Sequence, residues 1–175
     1  MDVLRPHHLL LLLLPSLFAG CAVTPPADPA LATRQRIVRS AESLLGAPYV
    51  YGGHTPAGVD CSGLVHYAYR QVGLNLPRDT LGLYGSGRPT RQPLPGDLLF
   101  FRIASGPVDH VGIYAGGDQM IHASSGSGQV RRVSLNSDYW RRYWVGTLTL
   151  LDARPARPAP AELAFAPRLS GLSDP

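Results

Sequence analysis

Residues Gly58–Gly73 read GVDCSGLVHYAYRQVG, and the rest of the chain is best understood outward from this stretch. Leu64, Val65, Ala68, Tyr69 and Val72 recur at helical spacing, Gly73 is a stop signal and Asp60 is a good N-cap type. The pattern predicts a helix whose first turn holds Cys61, one of only 2 cysteines in 175 residues. A helix start presents unpaired N–H groups and the positive end of the macrodipole, which favour a thiolate there. A lone cysteine is more often a small buried core residue. Polar Asp60 and Ser62 on either side, and Gly63 behind them, argue for chemistry instead.

The other cysteine ends a different kind of segment. Leu9 to Phe18 is a short apolar run behind a weakly basic start (Arg5, His7, His8), too short to span a bilayer, and it reads as a signal-peptide core over residues 1–20. The run closes on LFAGC, which resembles a bacterial lipobox whose cysteine, Cys21, is lipidated; an ordinary signal peptide cleaved near Ala22 is the alternative. A lipidated Cys21 cannot pair with Cys61, leaving an exported domain with one free thiol. The expected location is therefore a lipid-anchored one in the cell envelope, on the outer membrane facing the periplasm, because Ala22 rather than Asp follows the cysteine.

About 155 residues remain after the signal, enough for one domain with a real core. Residues 21–33 read as a tether and residues 153–175, rich in Pro and Ala, as a disordered tail, so the domain is expected over residues 34–152. The net charge of +4 is mild, and all 16 basic residues are Arg. Arg131-Arg132 and Arg141-Arg142 are interleaved with Tyr and Trp, but solvated strand ends explain them better than nucleic acid, and no nucleic-acid partner is expected.

Helical patterning predicts elements over Arg34–Leu45, after Cys61 and over Thr80–Tyr84. Strand patterning then predicts Asp97–Arg102, His110–Ala115, Gln119–Ala123, Val130–Ser134 and Trp144–Leu151. Helices followed by an antiparallel meander give an α+β fold.

His110 opens HVGIYA and His122 closes QMIHA, around Gly116-Gly117-Asp118. Paired residues of a hairpin keep a constant index sum, so an odd loop centred on Gly116 would set the two histidines directly opposite on one face. A two-residue loop of Gly116-Gly117 would put them on opposite faces. On one face, one imidazole can take a proton from sulfur while the other fixes its tautomer. His54 and His66 read as loop and helix-surface residues.

DCSGLV at the helix start, PGDLLFF (Pro95–Phe101), DHVGIYAGG (Asp109–Gly117), MIHAS (Met120–Ser124) and PYVYGG (Pro48–Gly53) together resemble the NlpC-type family of bacterial cell-wall cysteine peptidases. The resemblance runs from Arg34 to about Leu150 in the family's order, and the lipobox fits its small lipoprotein members. It implies a papain-like core, a nucleophile helix packed on an antiparallel sheet, and hydrolysis of amide bonds in peptidoglycan stem peptides or cross-links. It implies Cys61 as nucleophile, His110 as general base and His122 as the orienting third residue. Tyr49 matches a tyrosine beside the nucleophile that supports the oxyanion or substrate, and Asp60, Ser62 and Arg78 match positions lining the substrate cleft. LPRDT departs from the family's usual Arg followed by two small hydroxyl residues, and Asp79 offers Arg78 a local partner. A monomer without metal or cofactor is expected. A zinc site of Cys61, His110 and His122, a catalytically idle wall-binding lipoprotein and an acyl-transfer enzyme on the same core remain as alternatives.

Overall fold

The computed structural model describes residues 28–151. The signal segment, Cys21, most of the expected tether and the expected tail from residue 153 lie outside the described residues.

The first helix, α1 (Pro29–Glu42), starts earlier than its apolar stripe suggests. Asp28 caps it by accepting from the Ala30 N–H at 2.9 Å, and Pro29 occupies the first helical position, where its missing N–H costs nothing. Pro29 to Thr33, expected to be tether, are therefore helix. Two short strands follow, β1 (His54–Thr55) and β2 (Gly58–Val59), paired antiparallel with each other. Next come α2 (Cys61–Arg70), α3 (Thr80–Ser86) and β3 (Arg88–Pro89). The second half supplies β4 (Leu98–Phe101), β5 (His110–Gly116), β6 (Gln119–Ser124), β7 (Gln129–Ser134), α4 (Asp138–Tyr143) and β8 (Trp144–Thr149).

The main sheet has the order β3-β8-β4-β5-β6-β7, antiparallel at each pairing. The α+β expectation holds, and β4 to β7 form the expected meander. The last strand departs from it. Instead of extending the meander beyond β7, β8 returns to lie between β3 and β4, with α4 as the connection. That return converts β4 into a central strand buried on both faces, which is why LLFF carries no polar alternation.

Each face of the sheet has its own apolar cluster. On one, Leu98, Phe100, Val111, Ile113, Ile121 and Leu148 pack with Ile37, Ala41, Leu64, Val65 and Ala68 of α1 and α2. On the other, Leu99, Phe101 and Met120 are covered by Tyr114, Trp140 and Tyr143. The helices dock on the first face because α2 presents Leu64, Val65, Ala68 and Tyr69 as one apolar stripe.

A buried ion pair ties the first helix to the sheet. Arg34 Nη1 meets Asp97 Oδ1 at 2.7 Å, with both side chains at most 3% exposed. The same guanidinium donates to the Pro95 carbonyl at 3.2 Å and to Thr149 Oγ1 at 3.0 Å, while the Leu94 N–H donates to Asp97 Oδ2 at 2.8 Å. Breaking such a pair leaves one charge in the interior without compensation. Arg34→Met is therefore expected to cost about 3–5 kcal/mol in a urea melt, and the double substitution Arg34→Met with Asp97→Leu to cost much less.

Candidate active site

The site starts from the cap of α2. Asp60 adopts extended backbone and its Oδ1 accepts from the Gly63 N–H at 2.7 Å, which places Cys61 in the first turn. Gly63 is required there for close approach: a Cβ at this position would drive into the carbonyl of Gly53. Asp60 is more than a cap. Its Oδ2 accepts from the Gly52 N–H at 2.8 Å, and Arg78 donates to both of its oxygens, at 2.8 Å and 3.0 Å. Burial pulls the carboxyl upward, but Arg78 and the amides of Gly63 and Gly52 outweigh it, so Asp60 sits below the ordinary carboxylate range.

Ser62 and Arg78 belong to the same cluster. Ser62 Oγ lies 3.1 Å from Asp60 Oδ1 and 2.7 Å from the Arg78 carbonyl, and it accepts from Arg78 Nη1 at 2.8 Å. Arg78 also donates to the Gly53 carbonyl at 2.6 Å. The local pairing of Arg78 with Asp79 does not form. Asp79 instead caps α3, accepting from the Gly82 N–H at 2.8 Å. A carboxylate that caps the next helix leaves the guanidinium free to reach back to Asp60.

Cys61 is a free thiol, half-buried, with Sγ 3.7 Å from Thr80 Oγ1. Burial pushes its pKa up; the Thr80 hydroxyl and the backbone N–H groups of Val111 and Ser62 act in the opposite direction without prevailing. The helix start favours a thiolate, but desolvation outweighs the hydrogen bonds to the sulfur, so the thiol needs a base beside it, as expected from the sequence. Tyr49 is held near this point by backbone pairing, its N–H donating to Gly128 and a bridge joining it to Val59. Its phenol is pushed up, first by burial and then by the charges of Cys61 and Asp60.

The histidines meet across the hairpin, though not in either register considered from sequence. Ile113 pairs with Ile121 and Tyr114 with Met120, so the index sum centres the hairpin on residue 117. The loop has two residues, Gly117 and Asp118, both at positive φ (57° and 56°), and a bulge follows Tyr114. The bulge restores the parity that a two-residue loop would have broken. His110 and His122 therefore share a face as diagonal neighbours, with His110 Nε2 and His122 Nδ1 2.9 Å apart. Val111, adjoining His110, carries the N–H that meets the sulfur, which brings the pair and the thiol to one end of the sheet.

Trp140 roofs the pair, and sequence reading missed it. Its ring stacks on His110 (5.9 Å, 19°) and meets His122 edge-on (5.0 Å, 83°), braced by Phe101 at 4.8 Å. The signal was present in SDYWRRY: Ser137 is an N-cap, accepting from the Trp140 N–H at 3.3 Å. The dibasic pair in it, like Arg131-Arg132, drew attention to charge instead. Arg141 pairs with Asp138 at 2.8 Å and Arg132 with Glu42, so both are engaged within the protein. His54 and His66 are partners of a different kind, edge-to-face at 6.0 Å, with His66 Nδ1 3.2 Å from the Leu76 carbonyl. Among the described residues, no three His, Cys, Asp or Glu side chains are gathered as metal ligands.

Burial lowers His110 to about 4, against a small upward pull from Asp109. Burial, then His110 and Arg131, lowers His122 to about 3. Both rings are neutral at pH 7 in the folded protein. An unfolded histidine takes a proton near pH 6.5, so between there and about pH 4 the unfolded chain binds more protons and stability falls as pH falls. The slope should approach about 1.4 kcal/mol per pH unit for each histidine. Unfolding free energy measured from pH 7 to pH 4.5 checks this, and His122→Asn should remove about half of the slope.

Comparison with known proteins agrees with this arrangement. Residues 46–149 match the NlpC/P60 family. The probable endopeptidase NlpC of Escherichia coli is 40% identical over 146 residues, covering 77% of this chain and 94% of that protein. The murein DD-endopeptidase MepH of the same organism is 38% identical over 120 residues, 65% of this chain but only 44% of its own length. Among solved structures, the peptidoglycan hydrolase RipB of Mycobacterium tuberculosis superposes with a TM-score of 0.61 at 30% identity, covering 73% of this chain and 69% of that one. The NlpC/p60 domain of the peptidoglycan hydrolase SagA does so at 0.59 and 33% identity, covering 67% of this chain and 98% of that domain. With Cys61, His110 and His122 all inside the matched stretch, and one relative matched along almost its whole length, the chain belongs to the NlpC/P60 family.

Proposed function

We propose that this domain hydrolyses amide bonds in the peptide part of peptidoglycan, with Cys61 as nucleophile, His110 as the proton carrier and His122 as the residue that orients it. The observation that carries this reading is the 2.9 Å contact between His110 Nε2 and His122 Nδ1, on the strand whose next residue, Val111, offers its N–H to the Cys61 sulfur. With its Nε2 hydrogen directed at His122 Nδ1, His110 keeps the Nδ1 lone pair for the thiol. Burial holds the thiol up and the imidazole down, so Cys61 needs His110 to take its proton for the attack.

In the first half, Sγ bonds to the amide carbon while His110 Nδ1 takes the thiol proton. The oxyanion is received by the N–H of Cys61 at the open end of α2, with Tyr49 in support. Collapse breaks the C–N bond, and the imidazolium gives its proton to the departing amine. In the second half water attacks the thioester carbon, His110 takes its proton and passes it to the leaving sulfur, and a carboxylic acid is released. The cluster of Asp60, Ser62 and Arg78 holds the start of α2 and the Gly53 loop against each other, which fixes the sulfur at the cleft.

A relative named as a murein DD-endopeptidase, in Escherichia coli, supports the cell-wall reading, and another is named for a second kind of bond, a gamma-DL-glutamyl hydrolase in Bacillus subtilis, 40% identical over 125 residues and 30% of its length. Digestion of purified sacculi, with the released muropeptides weighed by mass spectrometry, tests the reading and separates the two bonds. Sacculi left intact under conditions where the domain is folded would overturn it.

The anchor is part of the same proposal: Cys21 carries lipid and holds the domain in the envelope, on the periplasmic face of the outer membrane. LFAGC supports it, as does Ala22 after the cysteine. One solved relative from Staphylococcus aureus, of TM-score 0.62 and 32% identity over 69% of this chain and 42% of that one, is described as similar to a lipoprotein. Labelled palmitate should enter the wild-type chain and be absent from Cys21→Ala; persistent labelling would sink the anchor.

A further inference from the structure

The thiol has a polar neighbour that the proposed steps do not use. Thr80 Oγ1 lies 3.7 Å from Cys61 Sγ, within reach of a hydrogen bond to sulfur. Among the described residues that hydroxyl has no other hydrogen-bond partner. The fold fixes its position. Arg78, two residues earlier, is clamped to both neighbours of the cysteine: its carbonyl accepts from Ser62 Oγ at 2.7 Å, and its guanidinium holds Asp60. Asp79 then continues in extended backbone and caps α3 through the Gly82 N–H, which makes Thr80 the first helical residue. In LPRDT the cap therefore falls to the carboxylate, and the hydroxyl after it is left for the sulfur.

The direction of the bond follows from what each atom can do. A hydroxyl has one hydrogen to give, while a thiolate only accepts. If the S–H pointed at Thr80, the hydroxyl hydrogen would find no acceptor among the described residues. If Thr80 gives its hydrogen to Sγ, the S–H stays free for His110, and the bond strengthens as charge builds on sulfur. Burial is the largest influence on the thiol and pushes it up. The Thr80 hydroxyl is the largest influence the other way, ahead of the N–H groups of Val111 and Ser62.

We propose that Thr80 is a further catalytic residue: its hydroxyl donates a hydrogen bond to Cys61 Sγ and steadies the negative charge on sulfur when His110 removes the proton and again when the thioester breaks. The O–H bond stays intact throughout, no proton passes through Thr80, and His110 remains the acceptor. The inference rests on Cys61 being the nucleophile, and it is tested on the thiol itself so that the two can fail separately. Asp60, held by Arg78, and Tyr49 are the titratable groups whose charges reach the sulfur, with His110 and His122 at the same end of the sheet. Asp60 lies below the carboxylate range, the histidines near 4 and 3, and Tyr49 above its ordinary value. From about pH 6 to about pH 9, a change in reactivity therefore reports the thiol.

The full chain carrying Cys21→Ala has Cys61 as its single thiol. Its modification by iodoacetamide is followed by intact mass across that pH range. Thr80→Val, which keeps the shape and loses the hydroxyl, should react about three- to tenfold more slowly at each pH. The lower figure allows for the greater nucleophilicity of a more basic thiolate. Thr80→Ser should react within about twofold of the parent, because it restores the donor. On a muropeptide substrate, Thr80→Val should lose about tenfold in kcat and change KM by less than about twofold. If valine lowers Tm by more than a few degrees, Thr80→Ala repeats the comparison. The proposal fails if the hydroxyl-free variants are alkylated as fast as the parent, whatever their turnover. It fails equally if Thr80→Ser is as slow as Thr80→Val, since shape would then matter and the hydroxyl would not. A loss confined to KM also overturns it, because Thr80 would then touch substrate and not sulfur. Slower alkylation in a chain that leaves sacculi intact would uphold the bond to sulfur and remove only the peptidase.

Discussion

Cys61→Ser is expected to lower the rate of muropeptide release from sacculi by about a thousandfold or more while leaving Tm within a few degrees of wild type. The size follows from the electrostatics of the site. A thiol needs only modest help to lose its proton, whereas an alcohol needs a strong base at the moment of attack. His110, lowered to about 4 by burial, is a weak base and cannot provide it. Loss of a nucleophile in triad hydrolases removes most of the rate that the triad supplies, which sets the scale. The fold should tolerate the change because the cap is made by Asp60, not by the thiol, and Ser is itself a good residue near a helix start. Rates from single-concentration digests suffice. If the serine variant keeps more than about a tenth of the wild-type rate, Cys61 is not the nucleophile. If it is inactive but unfolded, Cys61→Ala refolded and assayed for sacculus binding distinguishes a structural loss from a chemical one.

What the sequence made legible follows local physics closely. The cap, stripe and stop of α2 are all written within Asp60–Gly73, so the cysteine's placement could be read directly. The hairpin is a middle case. Its turn residues were visible, but the bulge after Tyr114 was not, because a bulge depends on how two strands twist together. Without it the register is off by one, and the correct outcome, a shared face, follows from two departures that cancel. The return of β8 beside β4 was hidden for another reason: Trp144–Thr149 looks the same in sequence whichever edge it joins. Arg34, Asp97 and Thr149 meet only because of that return. The upward pull on the thiol was not legible, because helix-end effects are local and readable while desolvation is a property of everything packed around the sulfur.

The histidines give the second large effect, and it should be unequal. His110→Ala removes both the base for the thiol and the acid for the leaving amine, so turnover should fall about a hundred- to ten-thousand-fold, toward background. His122 touches the reaction only through its 2.9 Å contact with His110 Nε2. An asparagine or glutamine side chain at position 122 can still accept that hydrogen and hold Nδ1 toward the sulfur, so these variants should retain measurable turnover. His122→Ala cannot, and it should fall well below them. The roof adds a constraint: Trp140 packs on both rings, so a small residue at 122 also loosens the packing that keeps His110 oriented. Rates for the four variants on one muropeptide, each with its Tm, decide the matter. Should His110→Ala prove milder than His122→Asn at equal stability, the direction of the relay is reversed. His122 would then be the base, reaching the thiol by a route that the Nε2–Nδ1 contact does not provide.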